Sequence, residues 1–594
     1  MALTPIVVAL NAAGEPVARR IADALDCPLH GRAGRTGAEV TFPDALVHVR
    51  DLFAAGHPVI GVCAAGILIR AVAPMLADKR AEPPVLSVSD DGRVVVPLLG
   101  GHRGANRLAR GVAEVLGGTA AVTTAGDVAL GVALDEPPQG YALANPDDAK
   151  PVMAALLSGG GARITGEALF DLPPGDAVEI AVTETPETGG PERLVYHPMR
   201  HVLGVGCARD ASPEELWENA RAVLDAAGIA PGAVAAIATL DLKLDEPAMN
   251  ALARRLDRPL RAFTAEELAG IEVPNPSDVV CAEVGTPSVA EAAALAMTDG
   301  DLVVSKRKTA NTTAALARAA DPIVAPKGRA RGRVSVVGIG PGQSGWRTPE
   351  ASRLIAEAEE LVGYGLYIDL LGPLAAGKPR TDFPLGGEEA RCRYALERAA
   401  EGRNVALVCS GDAGIYAMGA LVFEVMERGD LPDAARRVEV VCTPGVSALQ
   451  AAAARAGAPL GHDFCAISLS DLLTPRDDIL RRLRAATEGD FVIAFYNPVS
   501  KRRRTLLAEA RDILLRHRPA DTPVLLAASL GRPEETIRYR RLDELDVNEV
   551  DMLTVVLVGS SQTRLMRTGD GPRMYTPRGY ARKMAGGDLA GAAE

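Results

Sequence analysis

The stretch ALVCSGDAGIYAMGALVFEV (406–425) decides the fold. Its opening is a continuous apolar run of strand length, and its close, AMGALVFEV, has apolar residues at helical spacing. Between them stand Ser410, Gly411, Asp412, Ala413 and Gly414. The glycines let a ligand approach the backbone closely, and an acid at the end of a strand suits a ligand's hydroxyl or amine. A strand that turns through a Gly-rich loop into a helix is the repeating unit of a parallel α/β sheet. The unit recurs at VSVVGIGPG (334–342) and VEVVCTPGVSALQAAAA (438–454). Upstream it recurs at PIVVALN (5–11) with EPVARRIADALD (15–26), at HPVIGVCAAGILIR (57–70) and at RVVVPLLGGHRGANRLARGVAEVLGG (93–118). The fold class is therefore α/β and multidomain.

A chain of 594 residues has room for roughly three to five domains. Residues 1–140 read as a first α/β unit. Residues 141–200 hold Pro and Gly clusters and one strand-like run, AVEIAVTET (177–185), and read as an irregular connecting region. A second α/β unit runs from HVLGVGCARD (201–210) to residue 320. DPIVAPKGRARGR (321–333) is rich in Pro, Gly and basic residues and reads as a linker between separable halves. A third region covers 334–580, and 581–594 reads as a frayed tail.

The formal net charge of −12 and the 4% aromatic content argue against nucleic-acid binding. Eight scattered cysteines without a C-x-x-C pair predict reduced thiols, no metal centre and a cytoplasmic setting. MALTPIVVALN lacks the basic start of a signal peptide, and no apolar run has bilayer length, so no membrane partner is expected. No G-x-S-x-G or H-E-x-x-H pattern is present. Gly338 and Gly340 fit the first two positions of a dinucleotide fingerprint. The third falls on Gln343, and no acid ends the next strand, ELVGYG (360–365), so that reading fails.

The motifs continue in order: GAPLGHDFCAISLSDLLTP (457–475), DFVIAFYNPVSKRR (490–503), DMLTVVLVGSSQT (551–563) and TPRGY (576–580). With the two Gly-rich turns before them, they resemble the tetrapyrrole methyltransferase family. The SLSDLLTP, YNP and TPRGY blocks are similar to its precorrin-3B C17-methyltransferase branch. The resemblance covers about residues 332–580. It implies two α/β lobes with S-adenosylmethionine in the cleft between them, and a tetrapyrrole substrate, cobalt-containing or metal-free. It also leads to the expectation of a homodimer through this half.

Carried over by motif, the cofactor site comprises Gly411, Asp412, Ile415 and Tyr416, Ser447 and Ala448, Tyr496 and Asn497, and Thr554. Gly338, Gly340, Pro341 and Gly342 would face the macrocycle. Methylation with ring contraction and lactone formation needs proton transfer, for which His462, Asp463, Ser470 and Asp471 are candidates. Loop and cap chemistry is the plain alternative for them. Lys501 and Arg502 would clamp the substrate's carboxylates or else form a solvated helix face.

In the N-terminal half, GILIR (66–70), Lys79, PLLGGHRGANRLA (97–109) and TTAGD (123–127) resemble the cobalt-precorrin 5A hydrolase family. So do LGVGCARDASPEEL (203–216), LDLKLDEPAM (240–249), VGTPSVAEAAALA (284–296) and SKRKTANTTAALA (305–317). The resemblance implies opening of a δ-lactone with release of acetaldehyde. GGHRGAN places His102, Arg103 and Asn106 at a strand-to-helix junction, where backbone amides favour an anion, and makes them catalytic candidates. Lys243 and Lys306, with Glu246 and Glu291, are candidates to line a carboxylate-rich ligand, although Glu291 also fits a simple first-turn acid. The other reading of this half is a non-catalytic corrinoid-binding or scaffolding module.

Overall fold

The computed structural model describes residues 3–79, 81–500 and 503–580. Lys501, Arg502 and the 581–594 tail lie outside the described residues. The first unit is a seven-stranded sheet in the order Val40–Phe42, Leu29–Arg32, Ile6–Ala9, Val59–Val62, Val85–Val88, Val94–Leu99, Thr119–Ala120. The first five strands are mutually parallel. Val94–Leu99 then returns antiparallel to Val85–Val88. That reversal places the GGHRGAN loop at the edge where the parallel strands begin. A Cβ on Gly100 would lie 2.6 Å from the Pro84 backbone. The loop is therefore not at the carboxyl-end edge where such sheets usually hold ligands.

Residues 141–200 are not irregular. Tyr141–Leu143, Arg193–Pro198, Val178–Val182 and Ala162–Thr165 form a four-stranded sheet in that order. It packs on helix Ala149–Leu157 around a core of its own that contains Leu134, Val152, Ile180 and Tyr196. Its strands are three to six residues long and separated by Pro/Gly turns, which hides their alternation. The next unit is a six-stranded sheet: Asp301–Lys308, Thr312–Arg318, His201–Cys207, Val234–Leu240, Leu260–Phe263, Arg329–Ala330.

The last of those strands lies inside the expected linker. Arg329–Ala330 pairs antiparallel with Leu260–Phe263. Arg331 donates through Nε to the Arg437 carbonyl (2.9 Å) and through Nη2 to the Val438 carbonyl (3.3 Å). The segment is thus fastened to both sides.

Residues 333–580 form two lobes. The first is an all-parallel sheet in the order Arg380–Phe383, Glu360–Tyr364, Asn404–Cys409, Arg333–Gly338, Glu439–Thr443. The second is a mixed sheet: Phe464–Ser468, Val492–Tyr496, Thr554–Val558, Pro523–Ala528, Thr536–Arg541. Beside it runs a small sheet of Gly457–Ala458, Gly571–Tyr575 and Arg564–Thr568.

One apolar core continues from the first unit into the first lobe. It joins Leu52, Phe53 and Leu68 to Leu354, Ile355 and Leu361, with helix Ala45–Ala54 against helix Pro349–Glu357. Burying a Leu or Phe side chain is worth roughly 1.5–3 kcal/mol, so this face cannot be bared without loss. Residues 331–594 made alone should aggregate or melt at least about 5 °C below the full chain. A monodisperse fragment with an unchanged melting temperature would show that the shared core is dispensable.

The first unit also buries a histidine pair. His30 Nδ1 and His48 Nε2 lie 3.0 Å apart, and His48 stacks on Phe42 with ring centroids 4.2 Å apart. Burial, with His57 adding to it, pulls His30 down to about 4. Burial and the His30 charge pull His48 down to about 3. Both rings fold neutral, while in the unfolded chain they take up protons below roughly pH 6.5. The contribution of each ring is fully present above that pH and falls by roughly 1.4 kcal/mol per unit until the folded values are reached. Melting followed by circular dichroism should therefore fall between pH 7 and 4.5, and less steeply in a His30→Phe/His48→Leu double variant. Equal slopes in the two proteins would remove the pair as the cause.

Candidate functional site

Three neighbouring strands of the first lobe of residues 333–580 end together, and their loops meet backbone to backbone. Gly340 and Gly411 exchange hydrogen bonds. Gly340 N–H donates to Gly411 O at 3.1 Å, and Gly411 N–H donates to Gly340 O at 2.9 Å. A Cβ on Gly445 would sit 2.2 Å from Gly411 O, and one on Gly338 would sit 2.7 Å from the same atom. Neither distance is tolerable, so only glycine allows the approach. Asp412 locks the arrangement. Its Oδ1 accepts from Gly414 N–H (2.8 Å) and its Oδ2 from Gly445 N–H (2.9 Å). The acid expected to meet a ligand is first of all the brace between two loops.

Above this floor the cleft is open. A Cβ on Gly411 would meet nothing nearer than 3.9 Å. Ile415 and Tyr416 are exposed, and Tyr416 holds a left-handed backbone at φ 53°. The Tyr416 hydroxyl donates to Ala466 O of the second lobe (3.0 Å), and its ring lies 5.2 Å from that of Tyr496. Burial pushes the Tyr496 phenol up, and its oxygen accepts from Leu449 N–H (3.0 Å). Asn497, also left-handed at φ 48°, donates from Nδ2 to Ser468 Oγ (3.2 Å). Ser447 caps helix Ala448–Ala456 in a reciprocal box with Gln450. Thr554 is buried and donates to Asp551 Oδ1 (2.6 Å). The structure therefore brings Gly411, Ile415, Tyr416, Ser447, Ala448, Tyr496 and Asn497 around one cleft, with Thr554 beneath its surface.

Backbone room over Gly411, exposed aromatic and apolar surface, and two exposed left-handed residues fit an adenosyl amino acid. The buried Thr443 hydroxyl beside the floor has no partner among the described residues. Gly338, Gly340 and Pro341 are buried. They build the floor instead of presenting surface to a macrocycle, and only Gly342 reaches partial exposure. Arg532 Nε donates to Pro341 O (3.3 Å), and a Cβ on Gly342 would touch Leu530 O at 2.5 Å, so the second lobe clasps this loop.

The proton-transfer candidates do not converge. His462 and Asp463 precede strand Phe464–Ser468, are exposed, and pair with each other (3.1 Å). Ser470 and Asp471 follow the strand, at the cleft end. Five residues at about 3.3 Å each separate the two pairs by roughly 16 Å. Asp471 lies 3.7 Å from Arg503 Nε.

In the N-terminal half, His102 Nδ1 pairs with Asp135 Oδ2, and the ring is partly exposed. Arg103 donates from Nη1 to Ala81 O (2.9 Å). Asn106 is buried and bound through Nδ2 to Thr124 Oγ1 and Asp127 Oδ2, both at 2.8 Å, so it holds a loop and does not serve His102. The amide expected to attract an anion already has one. Gly104 N–H donates to Glu136 Oε1 (2.9 Å), and Arg107 lies 3.3 Å from Oε2. Asp135 and Glu136 had no periodic signal in LDEPPQG.

Lys243 pairs with the buried Glu246 (3.5 Å), which also meets Arg209 (2.8 Å). Lys306 donates from Nζ to Asn275 O (2.5 Å). Its N–H donates to the fully buried Glu291 (2.9 Å), whose carboxylate also takes the Asn275 amide (2.8 Å). These two acids are consumed internally. Among the described residues, no group of three or more His, Cys, Asp or Glu is placed to hold a metal, and no helix is long and apolar enough to cross a membrane.

The floor predicts a contrast between two glycines. Gly445→Ala overpacks the knot and should cost about 1–3 kcal/mol in urea unfolding. Gly414→Ala, whose Cβ would meet only Asp412 Oδ1 at 3.3 Å, should cost less. Equal costs would contradict the packing described.

Comparison with known proteins finds related families over three parts of the chain. Residues 333–546 match the model of Tetrapyrrole (Corrin/Porphyrin) Methylases. Residues 47–127 match Cobalamin synthesis G N-terminal, and 201–317 match Cobalamin synthesis G C-terminus. A precorrin-3B C(17)-methyltransferase of Sinorhizobium sp is 47% identical over 251 residues, 42% of this chain and 98% of that protein. A probable cobalt-factor III C(17)-methyltransferase of Salmonella typhimurium is 45% identical over 247 residues, 42% of this chain and 99% of that protein. The crystal structure of the methyltransferase CobJ aligns at 43% identity over 41% of this chain and all of that one, with a TM-score of 0.38. The chain belongs to the tetrapyrrole methylase family through its C-terminal half, and ahead of that half two segments, 47–127 and 201–317, match the N-terminal and C-terminal models of cobalamin synthesis G.

Proposed function

We propose that the protein is a bifunctional enzyme of corrin-ring biosynthesis. The C-terminal half methylates C17 of a precorrin-3-type macrocycle, with ring contraction and lactone formation. The N-terminal half opens the δ-lactone of a later intermediate and releases acetaldehyde. The observation that carries the first activity is the meeting of the SGDAGIY, PGVSA and YNP segments on one cleft, in a segment 47% identical to a precorrin-3B C(17)-methyltransferase over nearly all of that protein.

When bound, S-adenosylmethionine supplies a methyl group already activated by its positive sulfur. The chain's task is then alignment and exclusion of water. The glycine floor admits the cofactor to backbone distance, and Tyr416 of the first lobe and Tyr496 of the second wall it. Of the proton-transfer candidates, Ser470 and Asp471 are those at the cleft end of their strand. Arg503 Nε stands 3.7 Å from Asp471.

For the lactone, His102 is held through Nδ1 by Asp135, which leaves Nε2 to take a proton from water. Arg103 is the cation nearest in sequence for an oxyanion, since Glu136 fills the helix end. That filled helix end, and the position of the loop at the strand-beginning edge, favour a second reading, in which this half holds a corrinoid without cutting it. Both activities can be followed in one assay. Mass spectrometry should record gain of one methyl by a precorrin-3-type substrate and, with the later lactone, gain of water and release of acetaldehyde. His102→Ala should slow acetaldehyde release by about two to four orders of magnitude with methylation and melting temperature intact. Bound but unchanged lactone would establish the carrier reading.

A further inference from the structure

Arg347 belongs to the methyltransferase half, yet its side chain is 3% exposed and its carboxylate partner comes from the first unit. Asp51 Oδ2 lies 3.6 Å from Arg347 Nη2. Asp51 stands on helix Ala45–Ala54, and Arg347 immediately precedes helix Pro349–Glu357. These are the two helices that carry the shared apolar core. The guanidinium also donates a hydrogen bond from Nε to Ser352 Oγ (2.9 Å). Burial draws the Arg347 guanidinium below its usual range and pushes the Asp51 carboxyl up. Asp51, itself partly exposed and also beside Arg50, is the counter-charge of the buried guanidinium.

The position of Arg347 gives the pair a role. It ends the loop that begins with Gly338, and its neighbour Trp346 is wedged between the lobes. Trp346 lies where a Cβ on Gly340 would meet it at 3.1 Å and where one on Gly531 would meet its ring at 3.0 Å. On the other side the Arg455 guanidinium lies 4.6 Å from the Trp346 ring centre. The loop is therefore fixed at one end by the glycine floor and at the other by Arg347, and Arg347 is fixed by Asp51.

We propose that Asp51 of the first unit is a positioning residue for the methyltransferase cleft, acting through Arg347 and Trp346. The N-terminal half thereby sets the geometry of the S-adenosylmethionine site, whatever its own chemistry. The assignment rests on the methyltransferase reading above.

The test uses the full chain with Trp217→Phe, which leaves Trp346 as the one tryptophan. S-adenosylmethionine is titrated while Trp346 emission is recorded. Asp51→Asn keeps the shape and removes the charge. It should raise the dissociation constant about five-fold or more and shift Trp346 emission to the red. Asp51→Glu should restore much of both, and Asp51→Asn should add nothing to an Arg347→Met protein. A folded Asp51→Asn variant with unchanged emission and affinity would overturn the proposal, as would an additive effect on the Arg347→Met background. If the parent chain bound no S-adenosylmethionine, the methyltransferase reading would fail. Trp346 emission would still decide whether Asp51 holds the loop.

Discussion

A single methyl group added at Gly445 would lie 2.2 Å from the carbonyl oxygen of Gly411. That prohibition governs the C-terminal half. Three strand ends approach so closely that two of their loops exchange backbone hydrogen bonds, and the Asp412 carboxylate reaches an amide of its own loop and one of the third. The result is a rigid floor with an open face. Methyl transfer needs little from side chains beyond such a floor, because the donor is already activated and alignment governs the rate. The second lobe completes the site through contacts that depend on the floor: Tyr416 to Ala466, and Arg532 to Pro341.

The first unit is part of the same mechanical system. Its helix Ala45–Ala54 shares a core with the methyltransferase sheet, and the expected linker is a fastened strand. The fusion is not two enzymes on a string. Between the strand-beginning edges of the two sheets lies a cavity of about 1410 Å³ whose lining includes Asp23, Asp26, Glu82, Glu357 and Glu359. The methyltransferase cleft opens at the opposite edge of its sheet. Arg103, Arg333, Arg353 and Lys378 line the same cavity, so its charge is mixed.

What the sequence revealed follows the range of its signals. Strand–glycine–helix units are local, so 334–342, 406–425 and 438–454 could be read at sight; Tyr416 lies in the second of them, and Tyr496 and Asn497 lie in the later YNP motif, where the resemblance, not periodicity, singled them out. Strand direction is not local: nothing in VVVPLL states that it runs against its neighbour, so the sequence does not show at which sheet edge the GGHRGAN loop lies. Partners far apart in sequence were invisible. His102 meets an acid 33 residues away, and Arg347 meets Asp51 across the whole N-terminal half. His462 and Asp471 looked like one cluster because they are close along the chain, but an intervening strand carries them to opposite ends. The 141–200 sheet was missed because strands of three to six residues give alternation too few cycles to show.

The central claim is that the glycine floor and the Tyr416–Tyr496 wall together form the S-adenosylmethionine site. A crystal structure of the full chain with S-adenosylhomocysteine tests it most directly. The account predicts ligand density over Gly411, between the 411–416 loop and the Tyr496–Asn497 turn. Density elsewhere with that cleft empty, or bound ligand reaching neither loop, would contradict it.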